Sequence, residues 1–237
     1  MPGELEHQDP NLRPAMTHSQ SKETDMSTSP LSRIAGPLAI VTGVLVVATR
    51  IPTILFVLTG GDLAEFVLGP THAITSVASV VAFGFLVLAL VAIYEHEARS
   101  AGWFGLIGFT AALMGTVFMA GDWWYEAFAV PRMAEVVPEA IPTFVGGRVL
   151  MGGIASFVLL GVGWVLFGAA SLRAHVFPTT ISGAIIVGGL LSGIPIGLAY
   201  LTGGVILGLA IAWLGVWLMR AALDVRTAAR QGAIPAA

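Results

Sequence analysis

The run FPTTISGAIIVGGLLSGIPIGLAYLTGGVILGLAIAWLGVWLM, residues 177–219, holds no Asp, Glu, Lys, Arg or His. A helix rises about 1.5 Å per residue and the hydrocarbon layer of a bilayer is about 30 Å thick, so one crossing takes about 20 apolar residues. The run is about twice that long and must fold back on itself. Its one strong breaker is Ile194-Pro195-Ile196-Gly197, which predicts a tight hairpin between two spans, 177–194 and 198–219.

The same ruler, applied upstream, predicts spans at about 34–58, 71–93, 103–120 and 149–171, the third with room to continue to Val130 before Pro131. The expected fold is all-α: a polytopic bundle of six transmembrane helices. Composition agrees, with 56% hydrophobic and 11% charged residues, where a soluble domain carries about 25% charged. Residues 1–32 are acidic, polar and proline-containing, a composition that reads as a disordered tail, and 221–237 form a short second tail. An acidic tail ahead of the first apolar segment does not match a secretory signal, so that segment is expected to be retained.

Basic residues set the expected orientation. Arg13, Lys22, Arg33, Arg99, Arg173, Arg220, Arg226 and Arg230 all fall on one side of this topology, against Arg132 and Arg148 on the other. The positive-inside rule then puts both termini in the cytoplasm of a plasma membrane protein. Asp62, Glu65, Asp122, Glu126, Glu135 and Glu139 fall in the outer segments, and 121–147, with Pro131, Pro138 and Pro142, reads as a short interfacial helix plus loop.

Glycine spacing suggests how the spans pack. Gly189, Gly193 and Gly197, then Gly204 and Gly208, recur every fourth residue, and such faces let backbones approach closely in lipid. They predict a tight pair of the last two spans, and offer a surface for a homo-oligomer. Arg33 with Gly43, Arg99 with Gly108 and Arg173 with Gly183 echo one another at the start of alternate spans, which suggests three helical hairpins.

The candidate site lies at the outer side. Arg50 falls in the outer third of the first span, where it is either a snorkelling interfacial arginine or a cation in search of a carboxylate, with Pro52 beyond it able to kink the helix. Asp122 and Glu126 stand one helical turn apart within Gly-Asp-Trp-Trp-Tyr-Glu-Ala-Phe, residues 121–128. Trp123, Trp124 and Tyr125 in that run are either an interfacial aromatic belt or part of a ligand-facing cluster. With His72 and Arg148 these residues could line an outward pocket for a polar headgroup or small ion, in which Arg50 is expected to pair with Asp122 or Glu126. At the other side Glu95, His96, Glu97 and Arg99 read as a solvated, charged helix end, in preference to a metal site with His175.

Several classes are excluded or disfavoured. The chain has no cysteine, so disulfides and thiolate chemistry are ruled out. One lysine among eleven basic residues and a net charge of −3 leave no patch for nucleic acid. Zincin, nucleophile-elbow, Walker and dinucleotide patterns are missing, as are paired mid-span histidines for haem and a span lysine for retinal, so no cofactor and no metal are expected. Spans with charge-free interiors disfavour a proton-coupled pump.

The stretches Arg-Ser-Ala-Gly-Trp-Phe-Gly-Leu-Ile-Gly, residues 99–108, and 121–128 with its Asp-Trp-Trp-Tyr-Glu run, together resemble uncharacterised multi-pass membrane proteins of high-GC, actinobacterial-type genomes. The resemblance implies a membrane location and no assigned activity. The leading expectation is a non-catalytic binding, scaffold or accessory protein whose partners are membrane lipid and a small ligand at the outer face. The alternatives are a transporter or channel component for a neutral or lipid-like substrate, and an intramembrane enzyme using Asp122 and Glu126 as acid and base.

Overall fold

The computed structural model describes residues 30–137 and 147–230. Expectations for the tail before Pro30, for Pro138, Glu139 and Pro142, and for the chain after Arg230 lie outside the described residues. The elements are α1 (Pro30–Thr59), α2 (Leu63–Leu68), α3 (Pro70–Val136), α4 (Gly147–Ala174), α5 (Thr179–Ser192) and α6 (Gly197–Arg230), with no strand among the described residues. The protein is an all-α bundle. Helical segments Leu31–Thr59, Pro70–Val136, Gly147–Ala174 and Gly197–Val225 are each long and apolar enough to cross a membrane, which marks the chain as membrane-embedded.

Four such helices stand where six similar spans were expected, for two physical reasons. The second and third expected spans are one element, because the polar stretch 94–100 stays helical. Helix continues to Ala101 and breaks only at Gly102, whose φ of 57° and ψ of −149° lie in a region open to glycine and closed to other residues. The halves then fold back on each other, with the Tyr94 and Phe109 rings stacked 4.1 Å apart across the break. The fifth expected span is shorter than drawn. Pro178 caps α5, and the chain turns at Gly193, leaving 14 helical residues, about 21 Å.

Three prolines, Pro37, Pro52 and Pro131, sit inside helices without ending them. Pro37 and Pro52 lie within α1 and Pro131 within α3, so the helix runs on to Val136 where an interfacial helix and loop were expected. Each proline removes one donor, leaving the carbonyl four residues earlier without its helical partner.

Contacts run α1 to α3, α3 to α4, α4 to α5, α5 to α6 and α6 back to α1, so the helices close a ring. Inside it Leu86, Leu90, Ile93, Trp164, Phe167, Ile185, Ile211 and Leu214 are fully buried. Glycines set the close approaches. A methyl group on Gly115 would stand 2.5 Å from the Leu160 backbone, and one on Gly163 2.5 Å from the backbone of Ala111, so α3 and α4 touch main chain to main chain.

The glycine repeats do not work where the sequence placed them. Gly189 and Gly193 face α4 at Trp164 and Gly161, and Gly208 faces Gly43 of α1. The α5–α6 pair forms instead through Gly188 against Leu207 and Gly203 against Ser192 and Leu191. In lipid the face that wins is the one whose partner offers a matching shallow backbone, and spacing along one helix does not disclose the partner. The three glycines of the hairpin echo differ in setting: Gly43 and Gly108 both sit against a neighbouring backbone, whereas a methyl group on Gly183 would meet nothing within 4 Å.

Candidate functional site

At the end of the bundle that carries α2, the helices part around a cleft of about 430 Å³. Its apolar walls come from Phe56 of α1, Phe66 and Val67 of α2, Met119 of α3 and Phe157 of α4. One pole is polar, formed by His72, Asp122, Tyr125, Glu126 and Tyr200.

The short helix α2 is a part the sequence did not announce. Asp62, read there as an acidic loop residue, caps it: its Oδ1 accepts from the Glu65 amide at 2.9 Å. The cap aims Phe66 into the cleft, where its ring stacks on Phe56 at 4.1 Å and meets His72 edge-on at 5.5 Å.

The polar pole is built by α3 meeting itself. His72, in the first turn of α3, is buried, and its Nε2 lies 3.2 Å from the Glu126 carbonyl oxygen and 3.9 Å from the Glu126 carboxylate. The Ser76 hydroxyl sits 3.4 Å from the same nitrogen. Asp122 and Glu126, one turn apart, both reach the cleft. Asp122 stands beside Ser156 of α4, and its Oδ2 is buried without a hydrogen-bond partner. Tyr125 lines the rim, its hydroxyl 3.7 Å from the Met133 sulfur.

Arg50 does not make the ion pair expected of it. Among the described residues no carboxylate pairs with it, and the guanidinium is held by Tyr200 instead, Nη1 donating to the phenol oxygen at 2.6 Å. Three rings enclose it: its carbon lies 4.5 Å from the Trp123 centroid, 5.2 Å from that of Tyr200 and 5.5 Å from that of Phe83. At 1% exposure it does not snorkel, and two of the rings that enclose it, Trp123 and Tyr200, also line the cleft.

Two of the candidate residues fall elsewhere. Trp124 is exposed on the outside of α3 beside Phe128, ring centroids 5.5 Å apart, in the manner of an aromatic belt. Arg148 is exposed at the start of α4 and does not line the cleft. Arg132 pairs with Glu135 at 2.9 Å on the surface.

At the opposite end, Glu97 corrects the picture of a wholly solvated helix terminus. It is fully buried and its carboxylate accepts from the Ser171 hydroxyl at 2.5 Å, tying α3 to α4. A second polar tie crosses the same interface, Trp164 Nε1 donating to Thr116 at 3.1 Å. Among the described residues no three acidic or histidine side chains gather as a metal site.

Tyr200 and Phe157, which line the cleft, and Ser156, which stands beside Asp122, went unremarked in the sequence. For Tyr200 a signal existed: it is one of only three tyrosines and sits just past the breaker, at the same end of the bundle as Arg50. Apolar walls ending in acid, imidazole and phenol groups suit a molecule with a hydrocarbon portion and a polar head. Comparison with known proteins adds no assignment, since no family model, curated protein or solved structure matches the chain.

Proposed function

We propose that the chain is a six-pass plasma membrane protein with both termini in the cytoplasm, which binds a lipid-like amphiphile without transforming it. The two halves of α3 supply two passes, and α5 completes a sixth with the turns at its ends or in a locally thinned bilayer. The observation that carries the binding reading is the cleft itself: about 430 Å³, walled by Phe56, Phe66, Met119 and Phe157, with its polar groups gathered at one pole. Binding is favoured over conduction by what lies deeper. Along α3, the buried polar residues His72, Thr75, Ser76 and Ser79 give way to Ala82, Phe83, Leu86, Ala89, Leu90 and Ile93, all tightly buried, before Glu97. A polar solute passing that layer would lose its hydration without replacement.

Gly153 gives the test. It lines the cleft, and a methyl group there would meet nothing within 4 Å, so Gly153→Phe fills the cleft without straining the bundle. The expected outcome is that native mass spectrometry of detergent-released protein shows a lipid-mass adduct on the parent chain and its loss from the variant. Equal retention by both would place the adduct elsewhere and remove the cleft from consideration.

A further inference from the structure

The binding reading leaves Arg50 without an explanation. Among the described residues its buried Nε and Nη2 have no hydrogen-bond partner, and its hydrogen bond is to the Tyr200 hydroxyl. A desolvated guanidinium with no anion beside it is among the most costly arrangements a fold can hold. The fold nevertheless makes room for it. A methyl group on Gly204 would stand 3.3 Å from the Arg50 Cδ and Nε, so the glycine of α6 is what lets the side chain lie flat behind the cleft.

Resting on the amphiphile reading, we propose that the ligand's head is zwitterionic. Its anionic group is taken by Arg50 once Tyr200 turns aside, and its ammonium by Asp122 and Glu126. The charge balance excludes simpler heads. A purely cationic head would leave the guanidinium unpaired, and a purely anionic one would face two carboxylates on the cleft wall. A head bearing both signs satisfies both, because guanidinium nitrogens lacking acceptors match the paired oxygens of a phosphate or carboxylate. The Tyr200 hydroxyl occupies one of those donor positions, and the hydrocarbon tail then lies against Phe56 and Phe66.

The test titrates the full chain in an uncharged detergent with probes of one chain length: lysophosphatidylethanolamine, monoacylglycerol, an alkylammonium and an alkyl phosphate, read by native mass spectrometry. Soluble phosphoethanolamine is the tail-free arm. The zwitterionic probe should bind at least about tenfold tighter than monoacylglycerol, the size of effect one charged hydrogen bond provides. Arg50→Met, and separately Asp122→Asn with Glu126→Gln, should each remove about tenfold of that preference. Tyr200→Phe, which keeps the ring and removes the competing oxygen, should tighten the zwitterionic and phosphate probes several-fold. Unchanged or weaker binding by Tyr200→Phe overturns the role of Arg50 even if the arginine variants fail to fold. Equal affinity for monoacylglycerol overturns the zwitterion while the cleft stands, tight binding of phosphoethanolamine alone overturns the amphiphile, and no binding by any probe overturns both readings.

Discussion

Replacing Arg50 by Met should leave the bundle as stable as before or make it more so. The guanidinium gains one charge-assisted hydrogen bond to Tyr200, worth about 1.5–3 kcal/mol. The rings of Trp123, Tyr200 and Phe83 add about 0.5–2 kcal/mol for each favourable desolvated contact. Against this stand two buried nitrogens without acceptors, about 1–3 kcal/mol each, and the several kcal/mol of stripping water from an ion. Met has similar reach, is apolar and packs well against aromatic rings, so it keeps the volume and discards the penalty. The balance lies between neutral and about 2 kcal/mol in favour of the variant, which is a rise in Tm of up to about 8 °C for a chain of this size. Thermal unfolding in detergent, followed by the fluorescence of the protein's tryptophans, measures it. A fall in Tm of more than about 5 °C would show that Arg50 is a net structural support, and the argument that it is retained for a ligand would then lose its basis.

Gly115→Leu, which drives a side chain into the Leu160 backbone, should lower stability by about 1–3 kcal/mol or prevent assembly, whereas Gly183→Leu, facing open space, should be nearly silent; equal Tm values for the two would refute the α3–α4 contact. Since the chain lacks cysteine, single cysteines report sidedness directly. A membrane-impermeant maleimide should label Trp124→Cys in intact cells and Thr227→Cys only after permeabilisation, and the reverse pattern would invert the proposed topology.

Helix class and the main reversals were legible because hydropathy and breakers act locally: a long apolar run has one way to satisfy its peptide groups in lipid, and Ile194-Pro195-Ile196-Gly197 leaves the chain turning where α5 gives way to α6. What stayed hidden depends on partners. Gly102 breaks the helix just after a charged stretch, Glu95 to Arg99, that stays helical, so a single positive φ does what a loop was expected to do. Glu97 sits among charges and looked solvated, yet α4 covers it and supplies Ser171. In the candidate site, Asp122, Glu126 and His72 were legible as polar residues at one depth. Tyr200 as the partner of Arg50 was not, since 150 residues separate them.

One clue to Arg50 was nevertheless present. Gly36, Gly43 and Arg50 follow one another at intervals of seven, a spacing that keeps residues on one stripe of a helix packed at a shallow angle. On α6 the facing stripe carries Gly215, Gly208 and Gly204. At the first two levels glycine meets glycine and the backbones touch, Gly36 near Gly215 and Gly43 near Gly208. At the third, the stripe on α1 presents the longest side chain it has, and the glycine opposite no longer brings backbones together but accommodates a guanidinium. The Arg50 side chain lies against the glycine there, and the aromatic residues that fence the guanidinium, Trp123 and Tyr200, also line the cleft. Arg50 thus fills the space beside Gly204 and also places a charge next to the residues that line the cleft, which is why Met, of similar reach, is the substitution that separates the two roles: it keeps the volume and removes the charge alone.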